Sequence, residues 1–169
     1  KPYHSRPFPV PKIHEQTLKL ELKHLCEVGV LKKLTTVNGP PTFLIPKKDV
    51  TIHFILDFCE RNKQIKRKPY PIPKIQDLLL KLEGFMYATS LDLNMGYYHI
   101  ELTPFSKSLC TIVTPFGKYE YQRLPMGLCN SPDIFQECMY KLFSDLEYVR
   151  VYIDDLLVTS MSTFEDHLQ

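Results

Sequence analysis

The sequence predicts an α+β fold in which an antiparallel sheet is backed by helices. Two observations carry that reading. Apolar β-prone runs and helical patterns are mixed without the regular strand-helix-strand order that builds a parallel sheet. Two β-prone runs, Val149-Arg150-Val151-Tyr152-Ile153 and Leu156-Leu157-Val158, flank Asp154-Asp155 at the spacing of a two-residue hairpin. No internal repeat interrupts the pattern.

In order along the chain, the first dozen residues are Pro-rich and read as extended. A helix follows from about 15 to 28, with Leu18, Leu22, Leu25 and Cys26 on one face and Gly29 as its stop. Short apolar runs near 30–34, 42–47 and 52–58 read as strands of one small sheet. Pro73 opens a helix carrying Ile75, Leu78, Leu79 and Leu82, which Gly84 closes. A second region begins at the strand bearing Asp92 and continues through strands near 109–114 and 118–122. It includes a long helix from about 132 to 146 and the hairpin 148–160, and Thr163–Gln169 reads as the start of another helix.

With 169 residues the chain is long enough for a real core, in one or two compact units. Its 44% hydrophobic content is that of a globular protein, and its apolar runs fall far short of a membrane span. The net charge of +2 is too small to mark a nucleic-acid binder. Placement is more informative: basic residues gather at Lys63-Gln64-Ile65-Lys66-Arg67-Lys68 and at Lys47-Lys48, clusters that neutralise phosphates or form solvated loops. The five cysteines form no C-x-x-C pair or zinc spacing, and no signal peptide is visible, so a reduced, intracellular protein is expected.

The acidic residues carry the chemistry. Two adjacent anions repel, and a turn that only reversed the chain would be better served by Asn-Gly, so Asp154-Asp155 calls for a cation. Asp92 interrupts a run, Tyr87-Ala88-Thr89-Ser90-Leu91-Asp92-Leu93, that otherwise resembles a buried strand, where Asp is disfavoured without a partner. If these strands are neighbours, three carboxylates converge on a hard-oxygen site suited to magnesium or manganese. Two such ions support phosphoryl transfer. For each Asp alone, a turn former or a solvated strand end explains the residue equally well, and spacing does not decide convergence.

The order of motifs narrows the choice. Phe43-Leu44-Ile45-Pro46-Lys47-Lys48-Asp49, Asp57-Phe58 with Asn62-Lys63, and Tyr70-Pro71-Ile72-Pro73-Lys74-Ile75 come first. Ser90-Leu91-Asp92-Leu93-Asn94-Met95-Gly96-Tyr97-Tyr98 follows, then Leu124-Pro125-Met126-Gly127-Leu128, Ser131-Pro132, Phe135-Gln136 and Tyr152-Ile153-Asp154-Asp155. This series, across about residues 40 to 160, resembles the fingers and palm of reverse transcriptases from gypsy-type long-terminal-repeat retrotransposons and their retroviral relatives.

The resemblance implies a right-hand polymerase fold without its thumb: fingers over 1–84 with entry to the palm, and palm over 85–169, with about 99–125 partly returning to the fingers. It implies an RNA-directed DNA polymerase in which Asp92, Asp154 and Asp155 are catalytic and, with the Leu93 carbonyl, hold two Mg2+ ions, Mn2+ being an alternative. Lys47, His53, Gly96, Tyr97 and Met126 fall at nucleotide-binding places, and Tyr152, Ile153, Gly127 and Pro132 at primer or template places. Tyr97 would exclude a 2′-hydroxyl by steric clash, which argues against a palm polymerase making RNA. Implied partners are a primed RNA or DNA template, dNTP, and the thumb and RNase H regions of the same polyprotein, in the cytoplasm (virus-like particle) or nucleus and without a membrane.

The departures lie in the fingers. Relatives read Asp-Gly-Ser-Trp-Arg where this chain has Asp49-Val50-Thr51-Ile52-His53, and an arginine where Cys59 stands. His does not make the bidentate fork of Arg to phosphate, so the triphosphate grip is weaker. The alternative function is therefore a degenerate or domesticated remnant that binds nucleic acid, or is structural, without efficient catalysis. Restoring both arginines, His53→Arg with Cys59→Arg, is expected to raise primer extension; unchanged extension with intact primer-template binding would exclude these two positions as the cause of weak activity.

Overall fold

In a computed structural model, residues 12–35, 43–46, 54–80, 82 and 84–169 are described. The Pro-rich segment before residue 12, Lys47 and His53 lie outside the described residues. The chain divides into two units, Lys1–Lys66 with Tyr97–Leu128, and Arg67–Gly96 with Cys129–Gln169.

The first unit starts at α1 (Lys12–Glu27), three residues earlier than the apolar pattern indicated. Leu18, Leu22 and Leu25 recur on one helical face, and all three are buried. The helix ends where Gly29 adopts φ 74°, while Val30 N–H donates to Leu25 C=O at 2.9 Å and Gly29 N–H to Cys26 C=O at 3.2 Å. Those two bonds are the Schellman pattern, which satisfies carbonyls the helix leaves open and favours glycine at the left-handed residue.

Strand β1 (Leu31–Leu34) then pairs antiparallel with β6 (Gly117–Tyr121), which pairs with β5 (Thr111–Thr114). Leu31, Ile112, Tyr119 and Tyr121 from these strands are buried, as is Phe58, whose ring centroid lies 6.4 Å from that of Tyr121. Strands β2 (Phe43–Pro46) and β3 (Phe54–Asp57) form a separate two-stranded antiparallel pair. Three short helices complete the unit: α2 (Cys59–Asn62), a 3-10 turn over Gly96–His99 that begins at the unit boundary, and α4 (Pro104–Leu109).

The second unit is a three-stranded antiparallel sheet in the order β4 (Tyr87–Asp92), β8 (Asp155–Ser160), β7 (Val149–Tyr152). Helix α5 (Ser131–Phe143) packs along β7, with Phe135, Gln136 and Met139 buried. Helix α3 (Ile75–Leu80) precedes β4, and α6 (Phe164–His167) follows β8. A capping box between Thr163 and Asp166 opens α6. His167 then joins β4 to the central strand β8, its ring nitrogens bonding Thr89 Oγ1 at 2.8 Å and Ser160 Oγ at 2.9 Å.

Three expectations are corrected. Strand β1 does not join β2 and β3, and β5 and β6 do not continue the sheet of Asp92; all three belong to one sheet of the first unit. Chain proximity is a weak guide here, because burying Leu31, Tyr121 and Ile112 rewards a pairing between strands far apart in sequence. The helix opened near Pro73 is shorter than its apolar spacing indicated, spanning Ile75–Leu80. Strand β4 is mostly exposed rather than buried, because it lies at the sheet edge.

The basic segment before Tyr70 is partly tied down. Arg67 Nε and Nη2 donate to Asp133 Oδ2 and Oδ1 at 3.0 and 3.3 Å, Tyr70 N–H donates to Asp133 Oδ1 at 3.0 Å, and Lys68 N–H donates to Asn130 Oδ1 at 3.2 Å. The Asp133 side chain is only 2% exposed, at the first turn of α5, so its carboxylate needs these donors. The Arg67 bond, with help from Tyr70 N–H, holds the Asp133 carboxyl below the usual carboxylate range. Since the folded carboxyl takes up its proton at lower pH than the unfolded one, acidification through that range favours unfolding. Asp133→Ala is expected to cost about 1–3 kcal/mol in urea denaturation at neutral pH, by removing the charge-assisted bonds from Arg67 and the acceptor of Tyr70 N–H. Its difference from the parent should shrink as pH falls through the depressed value, and a difference that grew on acidification would contradict the assignment.

Candidate active site

The acids are positioned by strand register. Asp92, the last residue of β4, is the direct partner of Asp155, the first residue of β8, and Asp155 in turn partners Tyr152 at the end of β7. Directly opposed residues in an antiparallel pair share a face, so Asp92, Asp155 and Tyr152 project to one side, their Cβ atoms roughly 4.5–5.5 Å apart between partners. Their neighbours Leu91, Leu156 and Val151 form the opposite face, where Leu156 is buried. Just beyond the ladder, Leu93 N–H donates to Asp154 C=O at 2.9 Å, which ties the loop after β4 to the hairpin tip.

The hairpin turn is one residue earlier than the sequence indicated. Its loop residues are Ile153 and Asp154, and Asp155 already belongs to the strand. The consequence is large, because a one-residue shift moves side chains to the other face of a sheet. With this register Asp155 stands beside Asp92, and Asp154, half-buried, occupies the tip alone.

This turn places a β-branched residue in an unfavourable conformation. Ile153 has φ 54°, at the first loop position, where a turn of this kind usually takes glycine. Such a residue costs on the order of 1–3 kcal/mol and persists only when its surroundings hold it. Gln136 does so from α5: its Oε1 accepts from Ile153 N–H at 2.6 Å and its Nε2 donates to Val151 C=O at 3.4 Å. The loop after Asp92 has a parallel feature, with Met95 at φ 55°.

Gly96 closes that loop, its N–H donating to Leu93 C=O at 3.1 Å. A Cβ on Gly96 would lie 2.8 Å from Phe135 Cζ and 3.4 Å from Leu93 Cβ, so the absence of a side chain lets the loop sit against α5. Pro132 is in the first turn of α5 and half-buried, on the same helix. Sequence reading assigned no role to Gln136 or Asp133, and placed Arg67 in a phosphate-neutralising or solvated basic cluster, whereas it is bonded to Asp133. The available signal was polar residues on the buried face of α5, where Ser131, Asp133 and Gln136 lie alongside Phe135 and Met139.

The second unit therefore brings together Asp92, Leu93, Gly96, Pro132, Tyr152, Ile153, Asp154 and Asp155. Within the first unit, Tyr97 is 8% exposed, and Met126 is exposed in the loop after buried Leu124 and Pro125. The loop is anchored at Gly127, whose C=O accepts from Asn62 Nδ2 at 2.9 Å.

Carboxylate and carbonyl oxygens are hard donors of the kind Mg2+ takes, and Mg2+ is held by one or two carboxylates plus water and substrate phosphates more often than by an all-protein cage. The residues fit that pattern. Among the described residues no group of three or more His, Cys, Asp or Glu side chains stands ready to hold a metal ion. The expected convergence of three carboxylates is thus two on one strand pair and one at the adjoining tip, rather than a closed cluster, because the turn separates Asp154 from the Asp92–Asp155 pair.

The mixed fold, the Asp92–Asp155 pair and the Tyr152-Ile153-Asp154-Asp155 hairpin occur together in a chain that one protein family accounts for. The family described as reverse transcriptase (RNA-dependent DNA polymerase) matches residues 45–169, and the chain belongs to it. Its relatives are retrotransposon polyproteins. It is 31% identical over 171 residues to the retrovirus-related Pol polyprotein from transposon 297 of Drosophila melanogaster, covering 97% of this chain and 16% of the relative. It is 29% identical over 162 residues to the transposon Tf2-3 polyprotein of Schizosaccharomyces pombe, covering 95% of this chain and 12% of the relative.

Among solved structures, prototype foamy virus protease-reverse transcriptase aligns with a TM-score of 0.84 at 27% identity, over 99% of this chain and 22% of that one. The foamy viral enzyme in complex with an RNA/DNA hybrid aligns with a TM-score of 0.88 at 24% identity, over 99% of this chain and 22% of that one. These matches agree with the fingers and palm fold expected from the motif order.

Gly96→Ala sets two effects against each other. Reduced freedom of the unfolded chain would stabilise by roughly 0.4–1 kcal/mol, whereas overpacking against Phe135, itself 3% exposed, costs about 1–3 kcal/mol. The clash is expected to win, giving a net loss in urea denaturation; a stabilised variant would show that Phe135 yields freely.

Proposed function

We propose that this chain is the fingers and palm portion of an RNA-directed DNA polymerase that extends a primer 3′-hydroxyl on a nucleic-acid template. The observation that carries the proposal is the register placing Asp92 opposite Asp155, with Asp154 at the adjoining tip and its C=O bonded to Leu93 N–H. The unit holding these acids is read as palm, and the unit of Lys1–Lys66 with Tyr97–Leu128 as fingers.

Members of this family depend on divalent metal ions. We assign Asp92, Asp154 and the Leu93 carbonyl as ligands of two Mg2+ ions, with Asp155 supporting them. When bound, such ions lower the pKa of an attacking hydroxyl and neutralise charge on a triphosphate. The chain's own residues do the rest. Asp92 and Asp155, exposed on one face of the sheet, supply negative charge where no basic side chain is paired with them across the ladder. Tyr152 shares that face and offers a ring beside the primer end, and Ile153 lies next to it at the tip. Gly96 and Pro132 shape the adjoining backbone, and Gly127 and Met126 border the nucleotide. Tyr97 rejects a 2′-hydroxyl by its bulk. Lys47 and His53 meet the triphosphate, His53 more weakly than an arginine would.

Template sequence is read by base pairing, so the protein needs only backbone and shape contacts, consistent with the modest net charge of +2. Solved relatives carry an RNA/DNA hybrid or double-stranded DNA, which supports a primed template as the partner here. No described helix is long and apolar enough to cross a membrane. We place the protein within the cell, as part of a polyprotein that supplies thumb and RNase H regions.

Asp154→Asn tests the reading. Metal-dependent primer extension on an RNA template is expected to fall by about 10³-fold or more, the scale of losing a group that stabilises transition-state charge. Thermal stability should change little, because the side chain stands at a turn tip. Extension persisting at the parent rate would refute the assignment.

A further inference from the structure

We propose that Gln136 is the positioning residue of the metal-binding hairpin: its carboxamide, rather than the turn's own preference, sets the conformation that presents Asp154. The proposal rests on the reading of Asp154 as a metal ligand. Four observations support it. Gln136 is a neutral polar side chain only 2% exposed, and burying an amide is unfavourable unless its groups are bonded. Both ends are bonded to alternate residues of one strand end, Oε1 to Ile153 N–H and Nε2 to Val151 C=O. Strand β7 is the outer strand of its sheet, so the carboxamide takes the place a neighbouring peptide would occupy and continues the ladder by one rung. The residue it holds, Ile153, is the one with φ 54°, and the residue that follows is Asp154.

The alternative source of order is the hairpin itself, and its composition argues against that. A turn that kept its shape unaided would carry glycine or asparagine at the left-handed position, not a β-branched residue. Without the bond from Gln136, Ile153 is free to return to an extended or right-handed conformation. That rotation redirects the next residue, so Asp154 leaves the end of the sheet while Asp92 and Asp155 keep their register. Phe135, the preceding residue of α5, packs against Gly96 in the loop that follows Asp92. Adjacent residues of one helix thus brace both acid-bearing loops.

Mn2+ binding read by electron paramagnetic resonance tests this without requiring turnover. Gln136→Met keeps volume and buried packing but removes both bonds. It is expected to weaken Asp154-dependent Mn2+ binding by about ten-fold or more, the usual effect of removing a group that orients a ligand. Adding Ile153→Gly, whose backbone takes a positive φ without penalty, should recover most of that loss. Parent-like Mn2+ affinity in Gln136→Met, or no recovery in the double variant, would overturn the positioning role.

Amide hydrogen exchange on the unmodified protein gives a second measurement that does not depend on a variant folding. The Ile153 N–H should exchange slowly despite its place in a turn, and exchange as fast as an open loop would also overturn the proposal. If the parent protein showed no Mn2+ binding that Asp154→Asn removes, the metal reading itself would fail and the positioning role with it. These outcomes separate the two failures.

Discussion

The site depends on the antiparallel register of β4 on β8. Pairing Asp92 with Asp155 opposes two like charges, an arrangement that destabilises a sheet when nothing cationic stands between them. The strands hold it through the remaining pairs, from Leu91 with Leu156 to Tyr87 with Ser160, and through His167, which bonds Thr89 and Ser160 at the other end. A sheet zipped from its far end tolerates repulsion at its near end. This is the ordinary balance at a functional site, where local unfavourable contacts are offset by packing elsewhere.

Helix α5 converts that register into a shaped site. Its first turn carries Asp133, which captures Arg67 and Tyr70 N–H and so fixes the chain entering the second unit. Its next turn carries Phe135, against which Gly96 sits without a side chain, and Gln136, which braces the hairpin tip. Three residues within four positions therefore define the entering segment, the loop after Asp92 and the turn before Asp155. Each uses a different force: a charge-assisted hydrogen bond, close packing, and a neutral amide replacing a strand partner.

Cys59 opens α2 in the first unit, whereas Asp92, Asp154 and Asp155 belong to the second. The Cys59 side chain takes no part in the strand register that aligns Asp92 with Asp155.

Much was legible in the sequence, because much of it is local. Apolar spacing located α1 and α5, glycine after Glu27 marked a helix end, and β-prone runs around two aspartates located the last hairpin. Motif order determined family membership, since ordered short phrases over about 120 residues do not recur by chance. Tertiary structure decided which distant strands pair: β1 with β6, where Leu31 and Tyr121 are buried, and β4 with β8. It also decided the turn. Local preference favours Asp over Ile at a left-handed residue, yet Ile153 occupies it, because Gln136 bonds its N–H and the sheet aligns Asp155 with Asp92. Sequence by itself determined that the acids exist in a polymerase order; only long-range hydrogen bonds and strand register determined that Asp92 and Asp155 share a face while Asp154 stands at the tip.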